Sequence, residues 1–292
     1  NPSSAFAQWT LKGIDACIRK IWNAAHRSRF REYELVVFSD HGQEAVVPFE
    51  QETGLSFHAA VNKVCKKAGF ENAHIYISLT DIQLERSKML GNQYFNNILG
   101  QTSDADNDSL ELIAIGPLGH IYSSGLKGGK ERRHLAGKLV NEGGIPMVLF
   151  SLSGNKVCGV TVEGSFSLPE DTNRMFGEGH ENPEEVCEDI CRTVRHPDAG
   201  DLVISGWRKN GSLISFPDEN GAHGGFGISE TDAFAAVPPD MDLSPDSGSR
   251  PRPLDLRNAC LRYLNRLDSS KRQDKTSAPL QSAVRIMTYN VH

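Results

Sequence analysis

The sequence predicts an α/β fold, a layered sandwich whose sheet is mainly parallel. Runs such as LVVF at 35–38 and PMVLF at 146–150 are apolar at every position, the pattern of strands covered on both faces. Segments with helical periodicity fall between such runs, as helices do when they return the chain across a parallel sheet. The 292 residues are 38% hydrophobic, enough for a sizeable core in one large domain or two ordinary ones.

Taken in order, residues 9–28 read as an amphipathic helix. Ile14, Ile18, Ile21 and Trp22 share one face, and Lys12, Arg19 and Lys20 are left to solvent. A short strand at 34–39 follows, then a helix at 56–67, a strand at 73–79 and a helix at 84–98. Strands at 110–115 and 120–123 precede a helix at 131–141, whose KERRH cluster reads as a solvated face. Strands at 146–152 and 157–162, a helix at 183–194, and strands at 201–206, 212–216 and 232–237 complete the alternation. Composition then shifts. Residues 238–253 hold five of the 14 prolines and almost no large apolar side chains, as an exposed linker does. Residues 254–267 read as one more amphipathic helix, followed by a second polar stretch and a strand-like run, VRIMTYNVH, at 284–292.

Charge and cysteine usage narrow the function. A net charge of −6 argues against a nucleic-acid coat, which needs a basic surface to neutralise phosphates. A small anionic substrate held by metal ions fits that charge. No window approaches the roughly 18 consecutive apolar residues of a membrane span, so no membrane partner is expected. The six cysteines show no CxxC spacing, and Cys187 and Cys191 lack the companions of a zinc knuckle. Scattered thiols fit a reducing compartment, and a cytoplasmic location is the expectation.

Chemistry concentrates at SDHG, residues 39–42. If LVVF is a strand of an open parallel sheet, Asp40 and His41 arrive at its carboxyl end, where ligands bind in such folds. A carboxylate and a neutral imidazole are ligand types that a zinc-like ion accepts, and Gly42 permits a sharp turn beside them. Far downstream, His223 stands in a Gly-rich loop, GAHGG, between the strand-like GDLVI and ETDAF. The other histidines read as structural: His120 at the start of an apolar strand, His180 in a turn before a helix, His26 and His134 on helix surfaces.

The order of SDHG, a long α/β insertion, GDLVI, GAHGG and ETDAF resembles the alkaline phosphatase superfamily, most closely its phosphodiesterase and nucleotide pyrophosphatase branch. The resemblance implies a phosphoester hydrolase with two divalent metal ions, usually zinc and here with manganese as an alternative, that share the substrate phosphate. It places Asp40 and His41 on one metal and His223 on the other. The family's first Asp, its Thr or Ser nucleophile and its DxxxH ligands precede SDHG, and none can be placed in the 39 residues before Asp40. The expectation is an alkaline-phosphatase-like domain truncated at its N-terminal side, with no catalytic nucleophile in this chain. Sulfatase or phosphomutase chemistry on the same scaffold stays open, as does a catalytically silent interaction module.

VRIMTYNVH resembles the opening strand of the endonuclease/exonuclease/phosphatase family, in which the strand runs into an Asn that helps organise a magnesium and phosphate site. Here that residue is Asn290. The expected organisation is a partial phosphodiesterase domain at 1–237, a linker with one helix at 238–282, and a truncated opening strand at 283–292.

Overall fold

The computed structural model describes residues 4–70, 72–77, 109–177, 179–245 and 250–266. The expected helix at 84–98 and the strand bearing Asn290 lie outside the described residues. The chain divides into two compact units, 1–236 and 237–292.

In the first unit, helix α1 (Ala5–His26) starts at Ser4, whose hydroxyl accepts a hydrogen bond from the Ala7 N–H at 3.1 Å. Strands β1 (Val37–Phe38) and β2 (Glu44–Pro48) precede helices α2 (Phe49–Thr53) and α3 (Phe57–Lys67). Then come β3 (Asn72–Tyr76), β4 (Ser109–Ile115), β5 (Leu118–Tyr122), α4 (Gly129–Asn141), β6 (Met147–Ser151), β7 (Val157–Thr161) and β8 (Gly164–Leu168). The unit closes with α5 (Thr172–Phe176), α6 (Pro183–Val194), β9 (Leu202–Ser205), β10 (Leu213–Ser215), β11 (Gly221–Ala222), α7 (Ile228–Thr231) and β12 (Ala235–Ala236).

Seven strands form one mixed sheet in the order β3-β4-β5-β9-β6-β7-β8. Only the β3/β4 pair is parallel; every other neighbour runs antiparallel. The expected mainly parallel sheet is therefore corrected to a mainly antiparallel one. The cause is connection length. Two residues join β4 to β5 and two join β7 to β8, hairpin links far too short for the crossover that a parallel pair requires. Gly116, with φ +60°, makes the first of these turns.

Helices cover both faces of this sheet. Val148, Phe150, Leu202 and Ile204 pack with Val61 and Val64 of α3 and with Leu135 and Leu139 of α4. Met147, Leu149 and Val203 pack on the other face with Met175 and Phe176 of α5 and with Val186 and Ile190 of α6. Alternate residues of the same strands thus feed two cores, which is why PMVLF and LVI read as continuously apolar. A smaller sheet, β10-β2-β11, is fastened to the large one through Ile214 N–H to Gly206 O at 3.0 Å and Phe216 N–H to Gly116 O at 3.0 Å.

LVVF is not a central strand. Only Val37 and Phe38 are in strand conformation, half-buried or exposed, and they pair antiparallel with β12 in a separate two-stranded ladder. The strand expected at 232–237 shrinks likewise to Ala235–Ala236. In the second unit, helix α8 (Pro253–Tyr263) begins where the Arg252 N–H donates to Asp255 Oδ2 at 2.8 Å, and the Tyr263 hydroxyl reaches Asp240 Oδ1 at 3.3 Å.

Phe150→Ala removes a fully buried ring from the larger core and is expected to cost ~3–5 kcal/mol. Ile21→Ala on the exposed helix α1 should change stability by less than ~0.5 kcal/mol. Urea denaturation of both variants checks the pair, and equal losses would contradict the burial described.

Candidate functional site

The segments that carry SDHG and GAHGG are brought together by the small sheet. Strand β11 pairs antiparallel with β2, setting Ala222 opposite Glu44 and Gly221 opposite Ala45. The chain leaving β11 at His223 therefore runs beside the residues that precede Glu44, His41 among them. Three hydrogen bonds hold the SDHG turn in place. Ser39 N–H donates to Phe234 O at 3.0 Å, the Phe234 N–H returns to Ser39 Oγ at 3.0 Å, and Gly42 N–H donates to Glu230 O at 2.9 Å. Glycine at position 42 is a steric requirement, since a Cβ there would lie 1.9 Å from the Ser229 carbonyl oxygen and 2.5 Å from that of Asp232.

All three residues singled out from the sequence converge. The His41 and His223 rings stack with centroids 3.9 Å apart and planes inclined by 26°. Asp40 Oδ1 lies 3.6 Å from His41 Nε2 and accepts the His41 backbone N–H at 3.1 Å. His41 Nδ1 is 2.6 Å from the Gly42 carbonyl oxygen. A carbonyl can only accept, so Nδ1 carries a hydrogen, and Nε2 is the ring nitrogen that faces Asp40. The site is open to water, with the Asp40 side chain 64% and that of His41 39% exposed.

The donor types suit a divalent ion, and an imidazole whose second nitrogen donates to a backbone carbonyl is the usual form of a metal-ligating histidine. Among the described residues, however, no group of three or more His, Cys, Asp or Glu side chains is arranged to hold a metal ion. Asp40, His41 and His223 therefore do not form a closed metal cage.

Three supporting residues were not legible as such in the sequence. Glu230, 5% exposed, accepts N–H bonds from Gly225 and Gly227, both at 2.7 Å, and so shapes the loop that carries His223. Its burial pushes the carboxyl above the usual range, the nearby Glu44 carboxylate adds to that, and the backbone bonds offset part of it. Glu44 Oε2 is a buried oxygen with no hydrogen-bond partner among the described residues. His180, 7% exposed, stands within 3.0 Å of the Phe226 carbonyl through Nε2 and accepts the Asn182 N–H at Nδ1, at 3.3 Å. The imidazole therefore ties the turn before α6 to the Gly-rich loop. Only the G-I-S-E spacing at 227–230, a helix-start pattern, hinted at Glu230; the other two depend on tertiary packing.

His120 lies in the middle of β5. Its Nδ1 accepts the Gly200 N–H at 3.2 Å, and burial lowers its pKa, which favours the neutral ring.

The chain matches no family model, no curated protein and no solved structure. The resemblance to the alkaline phosphatase superfamily therefore rests on its motif residues.

Gly42→Ala should lower stability by ~1–3 kcal/mol and speed amide exchange at Ser39 and Gly42, because the added methyl forces the turn away from Ser229. Exchange at wild-type rates would show that the turn does not need this close approach. A second expectation concerns pH. With the folded carboxyl of Glu230 raised, its stabilising contribution is full below the unfolded value of about 4.3 and is lost as pH rises through the folded value. Glu44→Gln removes one cause of that shift, so the decline of the melting temperature across this window should become shallower. An unaltered pH profile would remove Glu44 from this account.

Proposed function

We propose that the chain carries the metal-binding portion of a phosphoester hydrolase of the phosphodiesterase and nucleotide pyrophosphatase type. The observation that carries this reading is the contact between His41 and His223, with Asp40 beside them, across 182 positions of sequence. A packing motive for that meeting is weak, since the side chains are polar and substantially open to solvent.

In this reading Asp40 and His41 hold one divalent ion and His223 the other, zinc or manganese. When bound, such ions supply Lewis acidity that polarises a phosphoester and stabilises charge on its oxygens. The residues of this chain orient those ligands. The Gly42 carbonyl fixes the His41 tautomer and ring angle, and the Asp40 carboxylate is steadied by the His41 N–H. Glu230 and His180 hold the His223 loop through its backbone, which keeps the second ligand within reach of the first. The resemblance assigns the hydroxyl nucleophile to no residue of this chain.

The alternative is a catalytically silent module, favoured by there being no group of three or more His, Cys, Asp or Glu side chains arranged to hold a metal among the described residues. The two readings separate on metal affinity. Competition of the purified chain with a chromogenic zinc chelator should reveal zinc binding that weakens at least ~10-fold on Asp40→Ala or His223→Ala. The 292-residue chain should not turn over bis-p-nitrophenyl phosphate. A longer form that includes the nucleophile should, with activity falling by several orders of magnitude in the same variants. Robust turnover by the chain alone would overturn the assignment of the nucleophile, and zinc binding indifferent to all three residues would favour the silent module.

A further inference from the structure

Helix α1 is 22 residues long and none of them is buried. An amphipathic helix with no buried face is unusual, because burial of that face is what normally stabilises it. Leu11, Ile14, Ile18, Ile21 and Trp22 recur at three- and four-residue intervals and form one apolar stripe. Leu11 is 62%, Ile14 36%, Ile21 46% and Trp22 49% exposed and Ile18 is half-buried, so most of the stripe faces water. Lys12, Arg19 and Lys20 lie off the stripe, together with Phe6 (72% exposed) and Trp9 (64% exposed) near the start of the helix, and Arg27, Arg29 and Arg31 follow around Phe30, which is 96% exposed.

The charge of this segment runs against that of the chain. Residues 5–31 hold six of the 31 Lys and Arg but one of the 37 Asp and Glu, in a protein whose net charge is −6. The single acid, Asp15, is paired with Arg19 at 3.2 Å. A second copy of the helix would bring the same excess of six cations over one acid and so would offer few anionic partners. An anionic lipid surface answers both features together: headgroups meet the basic side chains, and the acyl boundary takes up the apolar stripe. Trp22, at the edge of the stripe, has the amphipathic ring that settles at headgroup level.

We propose that α1 and the basic residues after it dock the protein flat on an anionic membrane surface. No helix among the described residues is long and apolar enough to cross a membrane, and docking in the interface plane needs no such helix. The inference is independent of the metal-site reading.

Sedimentation of the full chain with lipid vesicles tests it. Vesicles of equal parts phosphatidylcholine and phosphatidylglycerol should carry the protein down, with a blue shift of tryptophan fluorescence, whereas pure phosphatidylcholine should bind at least ~10-fold more weakly. Ile14→Asp with Ile18→Asp should abolish binding. Lys12→Gln with Lys20→Gln, which preserves helix-forming residues, should weaken it ~10-fold and reduce its sensitivity to salt. Circular dichroism verifies that the variants keep their helix content. Equal binding to both vesicle types, indifference to the Ile14/Ile18 pair, or no vesicle binding at all would each overturn the proposal. No vesicle binding together with a dimer by light scattering would assign the stripe to a second copy instead.

Discussion

Strands β6 and β9 pair at the centre of the large sheet, where Met147 to Phe150 and Leu202 to Ser205 are buried at every position. Their pleat sends successive side chains into two different cores, and a one-residue slip would exchange the two sets. Each fully buried Leu, Ile or Phe contributes roughly 1.5–3 kcal/mol, so register here is strongly specified. Everything else in the first unit is referred to this pair. Strand β9 ends at Ser205, and Gly206 immediately accepts the Ile214 N–H that fastens the small sheet. A Cβ at Gly206 would lie 1.8 Å from Ile214 O, so the two sheets approach too closely for any other residue.

The elements were largely legible in the sequence, and their mutual directions were not. Helix α6 has the bounds that periodicity gives, with Pro183 at its start and two glutamates in its first turn. Helix α3 starts one residue late because Ser56 serves as its cap. Strand direction was misread because continuous apolar runs suit parallel sheets and equally suit an antiparallel sheet covered on both faces. The corrective signal lay in the spacing: strands read at 110–115 and 120–123 leave four residues between them, too few for a parallel crossover. Strand β8, GSFSL, escaped notice because its outward residues are small and polar and only Phe166 and Leu168 are buried.

The meeting of His41 with His223 was more legible than the elements that bring it about. Asp40, His41 and His223 stand out by residue type beside glycine, and the structure gathers them, although LVVF is not a buried strand. What gathers them is a set of two- and five-residue strands, β11 and β2, too short and too irregular in burial to show a period. Glu44 and Glu230 escaped for a related reason. Carboxylates read as surface residues until packing buries them, and no single segment contains the packing.

The turn between β4 and β5 has a bearing on how the site would meet a ligand. A Cβ at Gly116 would stand 3.0 Å from the His223 carbonyl oxygen, so the hairpin of the large sheet presses directly against the backbone of the Gly-rich loop. On its other side, Gly225 and Gly227 are drawn to Glu230 and Phe226 to His180. A loop with four glycines between 221 and 227 would ordinarily be among the most entropically mobile parts of a protein. Clamped in this way, it has surrendered most of that freedom on folding, and a ligand arriving at His223 meets a preorganised contour whose ordering entropy is already accounted for.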